Sequence, residues 1–339
     1  MERRGVICGG CWLVDYNNAI DLWPEEETLA VILSREVQGG GPAHNMAIDL
    51  ARLGGGYPVW GVGVLGDDDA GRLILAACAR HGVDSRRIRV EPGALTGHTD
   101  VMTVRSTGRR TFFHHQGANG LVAPGDFVLP ELPARILHVG APGIHAALDA
   151  PCGADPSGWV SLLRRARAEG LRTNLEMVSS EPGRLRELAG PCLPHLDSII
   201  INDHEAGALT GIEVVRHGVT SPENARRAAA ALVELGVAGV AAVHFPAGVA
   251  AATRDGRNLA LPSLRVPPEA IRSANGAGDA LAAGLLHGLH EDWELEDALR
   301  LGLCSAASAL RSVSTTGSVG TVAECLALGR DWGWRDSLQ

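Results

Sequence analysis

The chain has 339 residues, 45% of them hydrophobic and 20% charged, enough to bury the core of one large α/β domain or two smaller ones. Its formal net charge is −9, and all thirty basic residues are arginine. The acidic balance gives no electrostatic footprint for nucleic acid, and the missing lysine removes both the Walker A phosphate loop and Schiff-base or pyridoxal chemistry, each of which needs a lysine amine.

In chain order, the pattern predicts strands at Val59–Val64, Arg135–Val139, Leu171–Leu175, Ser198–Ile201 and Val237–Val243. Helices are predicted at 42–53, 70–81, 157–169, 203–209, 222–235, 277–290 and 294–311, several stopped by Gly54, Gly82, Gly170, Gly211 or Gly236. The alternation argues for a mostly parallel sheet sandwiched by helices. Two stretches interrupt it, roughly 12–38 and 94–116. In the second, Thr99–Val104 and Thr111–His115 flank Ser106-Thr107-Gly108 as a hairpin. No internal repeat, low-complexity tract or clear linker is present.

Several local patterns read more simply than they look. Gly61-Val62-Gly63-Val64-Leu65-Gly66 fits a dinucleotide fingerprint in letters, but its glycines fall inside a strand rather than at a strand-to-helix turn. Asp67-Asp68-Asp69 suits the acidic first turn of a helix better than a cation site. Arg86-Arg87 and Arg109-Arg110 read as solvated loop faces. His114 and His115 point to opposite faces of a strand, so they do not make a metal pair, although one of them could reach a ligand. Cys8 and Cys11 lack a second pair or a nearby histidine to complete a zinc set. Seven scattered cysteines suit a reducing compartment. The start, Met1-Glu2-Arg3-Arg4 followed by Gly5 to Val14, imitates a signal peptide, but its apolar run ends at Asp15 without a small-residue cleavage site; with no segment of membrane-spanning length, a cytoplasmic location is expected.

Chemistry concentrates in two segments. Ser273-Ala274-Asn275-Gly276-Ala277-Gly278-Asp279 runs into a small-residue helix. First-turn amides at the positive end of a helix can hold phosphate, Gly276 and Gly278 permit close backbone approach, and Asp279 is placed to take the proton from an attacking hydroxyl. Read alone, the segment is equally a capped core helix. Upstream, Gly39-Gly40-Gly41-Pro42-Ala43-His44-Asn45 opens a second helix, with Ala43, Met46, Ala47, Leu50 and Leu53 at helical spacing. Gly40 and Gly41 let backbone touch a small polar ligand, and Asn45 offers a donor and an acceptor to hydroxyls.

Together these segments resemble the paired signatures of the ribokinase-like carbohydrate kinases, the PfkB family: G-G-x-x-x-N-x-A-x-x-x-A-R-L-G, then D-T-x-G-A-G-D before a small-residue helix. Lesser matches follow the family order. Gly9–Asp15 resembles its first strand and sugar-binding aspartate, Gly66–Gly71 its G-x-D-x-x-G segment, and Asn202-Asp203-His204-Glu205 its N-x-x-E motif. The likeness runs from about Val6 to about Val319. It implies one ribokinase-like α/β domain over 1–339, a central mostly parallel sheet with helices on both faces, and a small β-sheet lid from 12–38 and 94–116. It further implies ATP-dependent phosphorylation of a sugar hydroxyl, with Asp279 as general base. Asn275, Gly276, Ala277 and Gly278 would lie at the phosphate, with the Gly276–Gly278 amides as anion hole. Asp15, Gly40, Gly41 and Asn45 would hold the sugar, Asn202 and Glu205 would hold Mg²⁺ through water, and the lid would pair two copies of the chain.

The departures from the family pattern narrow this. Ser273 replaces an aspartate associated with a monovalent-cation site, so potassium activation does not carry over. Val243-His244-Phe245-Pro246-Ala247-Gly248 replaces T-L-G-x-x-G in the nucleotide region, leaving the preferred phosphate donor open. Pro42 stands where ribokinases have lysine and Gly140 where they have glutamate, which disfavours ribose. A phosphorylated sugar would want a dedicated cation, for which Arg105, Arg109 and Arg110 are the lid candidates. A nucleoside kinase on the same scaffold, or a catalytically weak sugar- or nucleotide-binding regulator, remain alternatives.

Overall fold

Strand β1 (Val6–Gly10) is buried at every position and runs through a nine-stranded sheet. In the computed structural model, which describes residues 3–178 and 181–338, β2 (Leu13–Ile20), β3 (Ile32–Gly40) and α1 (Pro42–Leu53) come next. Then follow β4 (Val59–Gly66), α2 (Asp69–His81), β5 (Asp84–Glu91), β6 (Gly97–Val104), β7 (Arg110–His115) and β8 (Ile136–Gly140). The middle of the chain gives α3 (Ala146–Asp149), α4 (Gly158–Ala168), β9 (Arg172–Glu176), α5 (Pro182–Ala189), β10 (Ser198–Asn202) and α6 (Asp203–Thr210). The remainder gives β11 (Val215–Arg216), β12 (Val219–Thr220), α7 (Pro222–Glu234), β13 (Val240–Phe245), β14 (Gly248–Thr253), β15 (Asn258–Pro262), α8 (Ala277–His290), α9 (Leu295–Ala309) and α10 (Val322–Trp332). Met1 and Glu2, the first residues of the signal-like stretch, lie outside the described residues.

The large sheet has the order β15-β14-β13-β10-β9-β8-β1-β4-β5 and is parallel from β13 to β5, with β14 and β15 antiparallel at one edge. Both faces are covered, so the central strands are apolar throughout rather than alternating with polar residues. Successive side chains feed two different cores: Ile199 and Ile201 pack with Trp159 and Leu232 on one face, and Ile200 with Met46 and Leu285 on the other. The helices α1, α8 and α9 supply the second face, α4 and α7 the first.

The two interruptions become a separate four-stranded sheet of order β3-β2-β6-β7, in which β2 and β6 pair in parallel and the outer pairs are antiparallel. The expected hairpin is β6 and β7. The first lid segment extends two residues beyond the expected end, to Gly40. Other boundaries also move. The strand expected at Val237 starts at Val240, because the Val237 amide still bonds Leu232 at the end of α7 and that of Ala238 bonds Leu196. Arg86 and Arg87 are not on a loop. They sit on the edge strand β5, where charge discourages further pairing, with ion pairs to Asp84 and Glu131. Arg110 likewise begins β7 rather than lying on a loop.

Trp12 is the hinge between the two sheets. It is fully buried; its indole donates to Val62 O at 3.0 Å, and Asn119 brackets its backbone with one bond to each side. The ring lies on the β4 glycines: a Cβ at Gly61 or Gly63 would come within 2.8 or 2.4 Å of it. Those glycines therefore serve packing, as their place inside a strand suggested. Asp68 caps α2, accepting from Gly71 N at 2.8 Å, and Cys8 and Cys11 are buried free thiols. Trp12→Ala is expected to lower unfolding free energy by about 3–5 kcal/mol, the usual cost of emptying such a site, measured as a fall in the urea midpoint at unchanged slope.

Candidate active site

Two glycine-opened helices meet here. At α1, Gly41 takes φ 90°, and a Cβ there would lie 2.7 Å from Cys11 O; a Cβ on Gly40 would lie 2.1 Å from the Asp15 carboxylate. Only glycine lets β3 turn into the helix while Asp15 stays close. At α8, Gly276 is left-handed at φ 77°, with Thr315 O 2.3 Å from where its Cβ would be. The helices pack side by side, and Asn45 Nδ2 donates to Asp279 Oδ2 at 2.6 Å across 234 residues of sequence. Thr315 Oγ1 donates to Asn45 Oδ1 at 3.2 Å, which turns the amide nitrogen toward Asp279. Thr315 was not singled out by sequence, since nothing near it in the chain forms a motif.

The N-terminus of α8 separates two cavities. One, of about 560 Å³, is bordered by Asp15, Gly41, Asn45, Glu176, Glu205 and Asp279. The other, of about 410 Å³, is bordered by Ala277, Gly278, Asn202 and His244 and by apolar residues that include Leu281. Ala277 and Gly278 border the smaller cavity, and amides of a first helical turn have no partner within the helix. Gly278 is tightly approached, its Cβ position lying 3.0 Å from the His244 ring.

Most of the expected residues converge, and some do not. Asn275 borders neither of these cavities; its amide bonds Ser273 Oγ at 3.0 Å, and it faces a separate cleft of about 380 Å³ with Arg110 and Arg272. Asn202 and Glu205 form a reciprocal capping box at the start of α6. Glu205 is 5% exposed and faces the larger cavity, while Asn202 faces the smaller. Their oxygens are hard donors of the kind magnesium takes. Among the described residues no group of three His, Cys, Asp or Glu side chains could hold a metal ion. Of the two lid histidines, His114 faces the larger cavity and bonds Thr99, while His115 stacks on His98 at 5.0 Å.

Glu176 was missed. It ends β9 at the carboxyl edge of the parallel sheet, where ligand groups of such folds gather, and that position was its one sequence signal. It is the register partner of Gly140, the position where ribokinases were expected to carry glutamate. A Cβ on Gly140 would lie 2.8 Å from Pro42 and 3.4 Å from Glu176 Cβ. The departures at 42 and 140 therefore belong together, and the adjacent strand supplies a carboxyl group instead. Burial, and next the neighbouring Asp279 carboxylate, raise Glu176 well above the usual carboxylate range; the same two causes push Asp15 up to about 7. Burial keeps His114 neutral, aided by His115 and His98.

The model of the pfkB family carbohydrate kinases matches residues 12–321. The chain belongs to that family. As a pfkB family member it is a phosphotransferase, and its relatives span several acceptors. A fructokinase from Klebsiella pneumoniae is 27% identical over 293 residues, covering 83% of this chain and 84% of that protein. A protein from Halopiger xanaduensis, named ATP-dependent ribose-1-phosphate kinase, is 30% identical over 301 residues, covering 88% and 89%. The ribokinase of Arabidopsis thaliana, solved with ribose and ATP, shares the fold at a TM-score of 0.78 and 22% identity, covering 97% of this chain and 99% of that one. Among the described residues of this pfkB family chain, no helix is long and apolar enough to cross a membrane.

The raised Asp15 carboxyl has a stability consequence. Between about pH 4 and about pH 7 the folded group keeps a proton that the unfolded chain has lost, so its contribution becomes more unfavourable as pH rises through that window. The buried neutral histidines His44, His138 and His145 slope the other way, but they cancel in a comparison of variants. Asp15→Asn is expected to gain stability relative to the parent as pH rises from about 4 to about 7, read from urea midpoints across that range.

Proposed function

We propose that this chain phosphorylates a hydroxyl of an uncharged sugar at the expense of ATP. The observation that carries the reading is the start of α8, which borders one cavity with Ala277 and Gly278 and the other with Asp279. The nucleotide would lie in the smaller cavity, its terminal phosphate on the amides of Gly276, Ala277 and Gly278, where charge spreading over the transferring group is met by the positive helix end. The acceptor would lie in the larger one, its hydroxyls forked by Asp15 and Asn45 against the Gly40-Gly41 backbone. Asp279, aimed by Asn45, would take the proton of the attacking hydroxyl. Mg²⁺, held through water by Asn202 and Glu205, would neutralise nucleotide charge when bound. The β2-β3-β6-β7 sheet would close over the acceptor and keep water from the phosphate. Its exposed Ile32, Leu33, Val37 and Phe113 offer an apolar face on which a second copy could pair.

The lining argues against a phosphorylated acceptor, the kind named for the Halopiger protein. Asp15, Glu176, Glu205 and Asp279 border the acceptor cavity, and its basic-type side chain among the described residues is the neutral His114. Arg110 and Arg272 face the separate cleft. A nucleoside is the second reading, favoured by the apolar wall of Phe112, Ile144, Met177 and Val178. The position expected for a monovalent-cation aspartate is Ser273, which has no carboxylate, so no potassium stimulation is expected.

A panel of neutral sugars, sugar phosphates and nucleosides with ATP and Mg²⁺, scored for ADP release, tests this. Turnover is expected on a neutral sugar, and Asp279→Asn should reduce kcat by about 10²–10⁴-fold with KM for ATP little changed. Ligand-induced thermal stabilisation without turnover on any acceptor would favour a binding protein instead.

A further inference from the structure

Strand β13 carries a histidine at its penultimate position. Side chains of a strand alternate between its faces; here Ala241, Val243 and Phe245 pack in the core that α7 covers, and Ala242 packs in the core shared with Leu281 and Leu285 of α8. His244 therefore belongs to the α8 face, and it borders the smaller cavity, which Val243 does not. Its ring meets the start of α8 edge-on: Cε1 and Nε2 lie 3.0 and 3.3 Å from the place of a Cβ on Gly278. The register partner of His244 on β10 is Asn202, which borders the same cavity.

A chain without lysine has few side-chain donors to offer a phosphate. Among the described residues the basic-type side chains that border this cavity are His244 and Arg335, and Arg335 is exposed. The one carboxylate on its border, Asp203, accepts from the Thr220 hydroxyl and the His204 amide. The His244 ring has no hydrogen-bond or ion-pair partner among the described residues, so its nitrogens are left for a ligand. An imidazole carries at least one N–H in every protonation state, and ionised phosphate oxygens only accept; an oxygen at this edge selects the tautomer protonated on Nε2.

We propose that His244 is a catalytic residue of the phosphoryl transfer, donating from Nε2 to an oxygen of the terminal phosphate of the bound nucleotide. This rests on the smaller cavity being the donor site. The ring adds a side-chain donor to the backbone amides of Gly276, Ala277 and Gly278, at the edge of the helix start where charge gathers on the transferring group. In the reaction the P–O bond to ADP breaks and its electrons leave with ADP, the bond from the acceptor oxygen to phosphorus forms, and the acceptor proton passes to Asp279; His244 neither gives up nor takes a proton. The segment that loses a threonine hydroxyl at Val243 thus regains a donor one residue later, on the opposite face of the strand.

His244→Phe keeps a ring of similar shape and removes the donor, and His244→Gln places an amide N–H near the position of Nε2. Both are to be compared with the parent by kcat and by KM for ATP and the best acceptor, and by calorimetric binding of AMP and of a non-hydrolysable ATP analogue, with circular dichroism and urea midpoints as folding controls. His244→Phe is expected to lose about 10²-fold in kcat with KM for the acceptor little changed, and to bind the ATP analogue about tenfold more weakly while AMP binding is unchanged. His244→Gln is expected to recover most of both losses. A folded Phe variant with the parent's kcat and analogue affinity would overturn the assignment, and so would a folded Gln variant as impaired as the Phe variant, which would make the ring a packing element. If the parent binds the analogue but turns over no acceptor, the kinase reading fails and the binding comparison still decides the His244 contact; if the parent binds no nucleotide, both fall.

Discussion

A hydrogen bond of 2.6 Å from Asn45 to Asp279 joins two helices that glycines open and that meet only in the folded protein. Everything chemical in the molecule is arranged around that contact. It requires α1 to start directly at the end of β3, with Gly41 turned at φ 90°, and α8 to start at a left-handed Gly276 pressed against Thr315. Neither start tolerates a side chain, so two backbone exceptions, about 235 residues apart, serve one geometry. Because α1 and α8 share a face of the sheet and a core with Met46, Leu285 and Leu286, the contact is backed by packing rather than by a mobile loop.

The cost is a concentration of acidic groups with little to neutralise them. Asp15, Asp49 and Glu176 are each raised by burial, and the Asp49 oxygens have no hydrogen-bond partner among the described residues. Protonation relieves most of that cost in the free protein. The same arrangement makes the larger cavity unsuited to phosphate, while Ala277 and Gly278 border the smaller one. In the proposed function, opposed electrostatics on the two sides of one helix start would keep a negatively charged donor and a neutral acceptor apart until transfer.

The two helix starts were readable in the sequence because glycine, proline and small residues are local signals, and the alternation of strands and helices was enough to call for a parallel sheet. What could not be read depended on distant neighbours. β14 is Gly-Val-Ala-Ala-Ala-Thr, with few strand-forming residues, and it is a strand because it pairs with β13 and β15 beneath α7. β5 is rich in arginine because it is an edge. Asn275 matches the motif by position yet borders another cleft, since the chain turns at Asn275-Gly276 before α8 begins. Glu176 carries no motif: His138, whose ring lies 3.4 Å from its carboxyl group, comes from the adjacent strand β8 and is brought near only by register.

The central claim is that the first turn of α8 divides donor from acceptor. A crystal structure of the protein with a non-hydrolysable ATP analogue and the acceptor found in the activity panel tests it most directly. The account expects the terminal phosphate on the amides of Gly276, Ala277 and Gly278, and one acceptor hydroxyl in hydrogen-bonding distance of Asp279 and in line with the phosphorus. A terminal phosphate seated away from that helix start, or an acceptor bound outside the cavity shared by Asp15 and Asp279, would contradict it.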